Sequence, residues 1–399
     1  MKKKILISGA GIAGLTAACA LQAKGFNVQV LEQATELKEV GAGLQLSPNV
    51  LRALFNLGLE KALRENAVEP TGKEIRLWST GQTWPLFDLG ASCVERYGYP
   101  YFMIFRPDLH AALLQAVTHH DPAAVLLGAH VTRIEQDDTQ VTAFTTDGRT
   151  FSGHALIAAD GVHSAIRNQL FGQDRPVFSG CMAWRGVIPT AQLPEHLRRQ
   201  VGANWVGPGG HVINYPLRRG ELLNFVGILE RDDWQVESWT TAGSREECHA
   251  DFAGWHQDIH SMIDNIDVPF KWALMSREPL KDWVHGKVVL IGDAAHPTLP
   301  FLAQGAGMAI EDGYVLAEAL DAYDDVHTAF TQFQNARIER CTTIVEKSTE
   351  NGRRFHNKEL ANAAGAAAYV DREWSPEKVE QRYDWLFNYR VDLAIQKGD

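Results

Sequence analysis

No two of this chain's five cysteines lie close together. Cys19, Cys93, Cys181, Cys248 and Cys341 are scattered, without a C-x-x-C pair. An odd count at wide spacing fits a reducing compartment and gives neither a disulfide framework nor a zinc-site spacing, so no metal site is expected. No run of about 18 apolar residues is present, so no transmembrane helix is expected. Positive charge is in deficit: 38 Lys+Arg against 49 Asp+Glu leave a net charge of −11. That argues against a nucleic-acid surface, but not against a small anion held in a local positive pocket. Internal repeats and low-complexity linkers are also missing, which excludes a repeat architecture. The opening Met1-Lys2-Lys3-Lys4 has the charge of a signal peptide. However, glycines interrupt the apolar run behind it, and a first strand and helix account for that run. The expectation is a cytoplasmic protein with no membrane and no nucleic-acid partner. Its 399 residues suggest two or three domains.

What is present is concentrated at the start. Ile5-Leu6-Ile7-Ser8 reads as a strand, Gly9-Ala10-Gly11-Ile12-Ala13-Gly14 follows at once, and Leu15 to Leu21 reads as a helix. A second strand, Asn27 to Leu31, ends at Glu32, 18 residues after Gly14. In such a strand, G-x-G-x-x-G, helix, strand, acid series, Gly9 permits the tight turn. Gly11 lets the backbone approach a pyrophosphate, and Gly14 lets helix and strand pack closely. The helix N-terminus offers free N–H groups to phosphates. The acid sits near the roughly 20-residue spacing expected for a ribose ligand. The series therefore predicts a dinucleotide site.

Further along, the glycines of residues 37–49 mark a loop, and Pro48 to Leu63 has helical periodicity. Residues 73–100 are strand-like and aromatic. Pro107 and Asp108 suit the first turn of a helix starting near Phe105. Val131 to Thr150 turns at Asp147-Gly148, as a hairpin does. Ala155–Ala159 and Lys287–Ile291 are buried-type strands. Met182–Ile188, His211–Tyr215 and Leu222–Leu229 alternate, and a long helical stretch is expected from about Gly305 to Asn351, followed by a helical tail. Gly207-Pro208-Gly209-Gly210 is a turn, so no second dinucleotide fingerprint is present. Even spacing puts His211, Ile213 and Tyr215 on one strand face. At roughly 3.3 Å per residue the two polar ends stand about 13 Å apart. On spacing alone such a row reads as an ordinary half-exposed strand with an ordinary His and Tyr.

Two more motifs close buried strands: Asp160-Gly161 and Gly292-Asp293. Ligands of open α/β sheets lie outside the carboxyl ends of strands, where all three motifs fall. With these three motifs the chain resembles the single-component FAD-dependent aromatic hydroxylases, the group A flavoprotein monooxygenases. Pro300, Gln304-Gly305 and Glu311-Asp312 extend the match, which runs to about residue 350. Ala183-Trp184-Arg185-Gly186 and Leu302-Ala303-Gln304-Gly305-Ala306-Gly307 make it most similar to the salicylate, 3-hydroxybenzoate and 6-hydroxynicotinate hydroxylase branch. Ala303 and Gly307 stand where many more distant members have Gly and Asn. The tail after Asn351 matches weakly, and no role is carried onto it.

The resemblance implies an α/β fold. A Rossmann-like FAD-binding domain, three-layer ββα and glutathione-reductase-like (1–72, 100–176 and 276–350), would interleave with a mixed-sheet substrate domain (73–99 and 177–275). A helical appendage would follow (351–399). Tightly bound, non-covalent FAD would contact Gly9, Gly11, Ala13, Gly14, Glu32, Gln33, Gly43, Arg106, Asp160, Asp293, Gly305, Ala306 and Gly307. NADH or NADPH would visit as a transient co-substrate. O2 would add at flavin C4a, and the resulting hydroperoxide would hydroxylate a small hydroxylated aromatic acid. His211 would be the catalytic base, with Tyr215 orienting the ring. Arg185 is a candidate for the substrate carboxylate or a structural ion pair, and the loop alone explains His296. A monomer or homodimer is expected. Two other readings compete: an FAD-dependent reductase or epoxidase of a larger apolar substrate, and a non-catalytic redox-sensing flavoprotein.

Overall fold

The computed structural model describes residues 3–37, 41–173, 175–233 and 241–396. Ile5, Leu6 and Ile7 are wholly buried in β1 (Lys4–Ser8). A strand covered on both faces needs a continuous apolar run, which is why its sequence does not alternate. α1 (Ile12–Ala23) leads back to β2 (Asn27–Leu31), parallel to β1. Then come β3 (Gly43–Leu46), α2 (Pro48–Asn56) and α3 (Glu60–Asn66). β4 (Gly72–Leu77) and β5 (Thr83–Asp88) leave for another sheet, and α4 (Ala91–Tyr97) and β6 (Phe102–Phe105) bring the chain back. α5 (Arg106–His120) and β7 (Val125–Leu126) precede an antiparallel meander of β8 (Val131–Gln136), β9 (Val141–Thr145) and β10 (Thr150–Gly153). β11 (Ala155–Ala158) pairs with β1, and α6 (Ala165–Phe171) follows.

The second sheet is built mainly from β12 (Val177–Pro189), β13 (Val201–Gly207), β14 (Gly210–Leu217) and β15 (Leu222–Glu230). α7 (Arg245–Asp251) and α8 (Gln257–Asp264) precede its last strand, β16 (Phe270–Ser276). β17 (Val284–His285) and β18 (Val288–Leu290) rejoin the first sheet. Four helices end the chain: α9 (Gly305–Ala322), α10 (Val326–Phe355), α11 (Ala363–Glu373) and α12 (Pro376–Phe387). The first sheet has the order β17-β18-β11-β1-β2-β7, parallel except for β17. The second has the order β16-β12-β15-β14-β13-β4-β5 and is antiparallel except where β13 meets β4.

The second sheet is two-faced, as its alternation requires. Trp184, Trp205, Val212 and Phe225 pack under Phe252, Ile259 and Met262 of the α7–α8 side. The opposite face carries His211, Ile213 and Tyr215. There Ile213 and Tyr215 join the main core, while Ala183, Ile228 and Trp272 meet Leu299 and Phe301 from the loop after β18. That face therefore looks toward the dinucleotide side of the molecule.

Several expectations change. Part of the stretch read as a loop is strand β3, held by antiparallel pairing with β6; residues 38–40 of it, like Met1 and Lys2, lie outside the described residues. The helical stretch after Pro48 is two helices, broken around Gly58 at φ +79°. The long helix from Gly305 is likewise two, because Asp325 starts α10 afresh by accepting the Thr328 N–H at 2.8 Å. The row of His211 and Tyr215 is not half-exposed: both residues are buried. All five cysteines are free and buried. Among the described residues, no helix is long and apolar enough to cross a membrane.

Candidate active site

The β1–α1 junction is shaped by two glycines that no other residue could replace. Gly9 has φ +101°, and a Cβ there would lie 2.4 Å from the Ala159 carbonyl oxygen. A Cβ on Gly14 would lie 2.0 Å from the Gly9 carbonyl oxygen. Gly11 differs: its chain neighbours aside, a Cβ there would meet nothing within 4 Å among the described residues. It is the N-cap of α1, which has neither a side-chain cap nor an acidic residue in its first turn. Free N–H groups and the positive helix end thus face open space. The space is a cleft of about 570 Å³ lined by Gly9, Gly11, Glu32, Gln33 and Asp160 among others. Glu32 is fixed there, accepting the N–H of Ala10 at 2.7 Å on Oε2 and that of Ala34 at 2.8 Å on Oε1. A carboxylate oxygen has a second lone pair, so both can still accept a hydroxyl. Burial raises the Asp160 carboxyl above its ordinary range, and its Oδ1 has no hydrogen-bond partner among the described residues. An uncapped helix end, an open glycine and unfilled acceptors fit an adenosine diphosphate moiety.

The remaining predicted cofactor residues link this cleft to the second sheet. Ala13, in the first turn of α1, packs near Gly292, which starts the one-turn helix carrying Asp293. Asp293 is exposed; the surrounding protein raises its carboxyl, and the charges of His296 and Arg106 act against that. Arg106 begins α5 and donates its N–H to the Ala42 carbonyl at 3.0 Å. Gly43 donates its N–H to Asn224 Oδ1 at 2.7 Å, and a Cβ there would meet the Tyr215 ring at 2.4 Å. β3 can therefore lie across the second sheet only because residue 43 lacks a side chain. Gly305, Ala306 and Gly307 form the first turn of α9, again without a side-chain cap or an acid. That start is held by Gln304, which donates to Ser47 Oγ at 2.9 Å and accepts from Asn49 Nδ2 at 3.2 Å.

A buried ionic cluster holds the Gly292-Asp293 loop against α9 and α10. Arg337 pairs with Glu311 at 2.7 Å and Asp312 at 2.9 Å, Arg340 with Glu311 at 2.9 Å, and His296 with Asp312 at 2.6 Å. Burial pushes the Asp312 carboxyl up, but His296 and Arg337 outweigh it and bring it down to about 2. His296, Asp312 and Cys341 offer three metal-type ligand atoms within 4.8 Å of one another. The Arg337 guanidinium, 3.4 Å from Cys341 Sγ, already supplies the cation there. So His296 has a structural partner, which the loop alone did not reveal. α10 also pins the loop's far end: Ser348 Oγ donates to the Leu299 carbonyl at 2.6 Å, and Asn351 Nδ2 to the Phe301 carbonyl at 2.7 Å. Ser348→Ala strands a buried carbonyl and should cost about 1–3 kcal/mol of stability. A lowered thermal midpoint with FAD content unchanged is the expected measurement.

On the second sheet, His211 is 0% exposed and lies opposite Val206 and Ile228 in the register. Its Nδ1 is 2.7 Å from His356 Nε2, and its own Nε2 has no hydrogen-bond partner among the described residues. Burial, with His356 adding to it, depresses its pKa well below the ordinary range, so the ring is neutral. Burial raises the Tyr215 hydroxyl, while Gln45 beside it acts the other way, and the phenol stays protonated. Gln45 in turn accepts from Tyr101 at 2.8 Å. Arg185 is also buried; its guanidinium lies 5.7 and 5.3 Å from the ring centres of Phe270 and Trp272. Burial and the neighbouring charge of Arg106 bring its pKa down to about 10. Sequence reasoning missed Asn224, Gln45, Tyr101 and His356. None carries a motif, and His356 is marked only by its place as the C-cap that ends α10. A larger groove of about 670 Å³, lined by Trp84, Phe87, Trp374 and Val379 among others, includes none of the predicted site residues.

The cleft, the two uncapped helix starts and the interleaved sheets define a flavoprotein. The FAD binding domain family matches residues 2–332. The chain is 40% identical to a 3-amino-4-hydroxybenzoate 2-monooxygenase of Streptomyces platensis, covering 98% of this chain and 97% of the relative. It is 37% identical to a 3-hydroxybenzoate 6-hydroxylase of Polaromonas naphthalenivorans, covering 98% of each. It superposes with a TM-score of 0.82, at 27% identity, on the Klebsiella pneumoniae protein HpxO complexed with FAD and uric acid, over 98% of this chain and 96% of that one. The chain belongs to the FAD-dependent aromatic-ring hydroxylases, the group A flavoprotein monooxygenases.

Proposed function

We propose that this protein uses NAD(P)H and O2 to hydroxylate a small aromatic acid bearing a ring hydroxyl, bound between the flavin and the His211–Tyr215 face of the second sheet. Bound FAD supplies hydride acceptance and O2 activation. The protein's own residues do the rest. The N-terminus of α1 and Gly11 hold the pyrophosphate, Glu32 the ribose, and Gly43, Arg106, Asp293 and the α9 start the remainder of the cofactor. His211 Nε2 takes the proton of the ring hydroxyl, and Tyr215 orients the ring by hydrogen bond. The neighbouring positive charges of Arg106 and Arg185 favour an anion, whether a cofactor phosphate or the substrate carboxylate. The observation that carries this reading is the buried His211 Nε2, without a hydrogen-bond partner among the described residues, on the sheet face that looks toward the FAD motifs. A reductase or epoxidase of a larger apolar substrate, and a non-catalytic sensor, have no comparable feature in their favour.

The test is a screen of hydroxylated benzoates and pyridine carboxylates for stimulated NAD(P)H oxidation, with products identified by mass. Failure of every aromatic acid to yield an oxygenated product would end the proposal. Gly207–Gly210 forms the β13–β14 turn, with Gly209 at φ +72°, and is no second nucleotide fingerprint. NAD(P)H therefore visits from outside, while the reaction site has to exclude water. Movement of the cofactor or a loop reconciles the two demands. Flavin reduction in a stopped-flow instrument should then be faster with the correct aromatic acid than without it; equal rates would refute gating. We further propose non-covalently held FAD, a cytoplasmic location and a monomer or homodimer.

A further inference from the structure

We infer that His356 and Glu230 form, with His211, a proton relay from the buried reaction site to solvent. It rests on the reading of His211 as the base. His211 Nδ1 is 2.7 Å from His356 Nε2, and His356 Nδ1 is 3.1 Å from Glu230 Oε1. The exposures step outward: His211 is 0% exposed, and the His356 and Glu230 side chains 3% and 58%. Backbone bonds through Gly209, in the turn before His211, also hold His356 and Glu230 together. Gly209 donates its N–H to the His356 carbonyl at 3.1 Å, and Glu230 donates its N–H to the Gly209 carbonyl at 2.8 Å. The surface carboxylate fixes His356 with a proton on Nδ1, which leaves Nε2 as an acceptor. That acceptor fixes His211 with a proton on Nδ1, which leaves its Nε2 bare for the substrate.

A base buried this deeply keeps a proton poorly, so a route onward is needed. When the ring O–H breaks, an N–H forms at His211 Nε2. The Nδ1 proton of His211 moves to His356 Nε2, and the Nδ1 proton of His356 moves to the Glu230 carboxylate and then to water. One proton enters and one leaves, with no electrons transferred along the chain. Facing the relay among the described residues, the rings of Phe301 and Phe355 flank His211, Lys358 lies near Glu230, and the Cys181 thiol feels the Glu230 charge.

Glu230→Gln separates relay from packing, because the amide carbonyl can still accept the His356 N–H but cannot take its proton. In the FAD-loaded enzyme, 3-hydroxybenzoate and 3-amino-4-hydroxybenzoate serve as probes. We expect unchanged FAD content and KM and a kcat for hydroxylation lower by roughly 10-fold at neutral pH, a fraction of the effect of losing the base itself. The loss should shrink as pH rises, and Glu230→Asp should restore part of the rate. His356→Phe should lose more. NMR of isotopically labelled histidine, without substrate, should show the His211 proton on Nδ1. A wild-type pH profile and kcat in both Glu230→Gln and His356→Phe would overturn the relay, as would a proton found on His211 Nε2. The outcomes are separable: full activity in His211→Ala removes the base reading itself, whereas a slow His211→Ala beside unaffected relay variants removes the relay alone.

Discussion

Gly11→Val should give a folded, colourless protein. Residue 11 has φ −72° and ψ −177°, which valine adopts without strain, and, its chain neighbours aside, a Cβ there meets no atom of the described residues within 4 Å. The added side chain would instead occupy the space in front of the α1 N-terminus, where we propose that the pyrophosphate is held. Each charge-assisted hydrogen bond to the phosphates that is lost would cost about 1.5–3 kcal/mol, so FAD binding should weaken by on the order of 10²-fold or more. Gly14→Ala is the contrasting case. Its Cβ would sit 2.0 Å from a backbone oxygen that cannot move aside, so helix and strand must separate and the fold itself should fail. Flavin absorbance per protein, read beside circular dichroism and the thermal midpoint, distinguishes the two. A yellow Gly11→Val protein with wild-type FAD content would place the pyrophosphate elsewhere.

This contrast was legible in the sequence because the β1–α1–β2 unit is local. A continuous apolar run, a glycine turn and an apolar helix lie within thirty residues, and each piece has one mechanical reading. The strands of the second sheet were legible from alternation, although β12 and β14 run longer than their alternating centres. What stayed hidden depends on distant partners. Gly43–Leu46 reads as a loop until β6 pairs with it from about sixty residues away. Gly313 looks like an unremarkable residue within a helix, yet a Cβ there would lie 2.7 Å from the Ala17 backbone nitrogen, so it sets how closely α9 and α1 pack. His356 lies in the tail to which sequence resemblance assigns nothing, and only the fold places it against His211. The placement of Arg337, which holds Glu311 and Asp312, is equally non-local.

His211→Ala should retain FAD and fold, and lose hydroxylation on the order of 10²-fold or more, the size typical of a missing general base. A phenol with pKa near 10 is almost wholly protonated at pH 7, so ring activation as the phenolate needs a local acceptor. His211 Nε2 is the acceptor we propose: it is buried and has no hydrogen-bond partner among the described residues, and in the inferred relay His356 sets its tautomer from the Nδ1 side. Because burial depresses its pKa, the ring stays neutral as pH falls through the ordinary histidine range, so wild-type activity should not follow a titration near 6.5. The variant should behave differently at the alkaline end. As pH approaches the phenol's own pKa, solution phenolate binds directly and the deficit should narrow. NAD(P)H oxidation should meanwhile continue uncoupled, releasing hydrogen peroxide. Tyr215→Phe keeps the base and the ring that packs on Gly43, so it should mainly weaken binding or coupling rather than abolish turnover. Product formed per NAD(P)H consumed, followed across pH for both variants, decides the matter. If His211→Ala hydroxylates at the wild-type rate with full coupling, His211 is a strand residue and the proton leaves by another route.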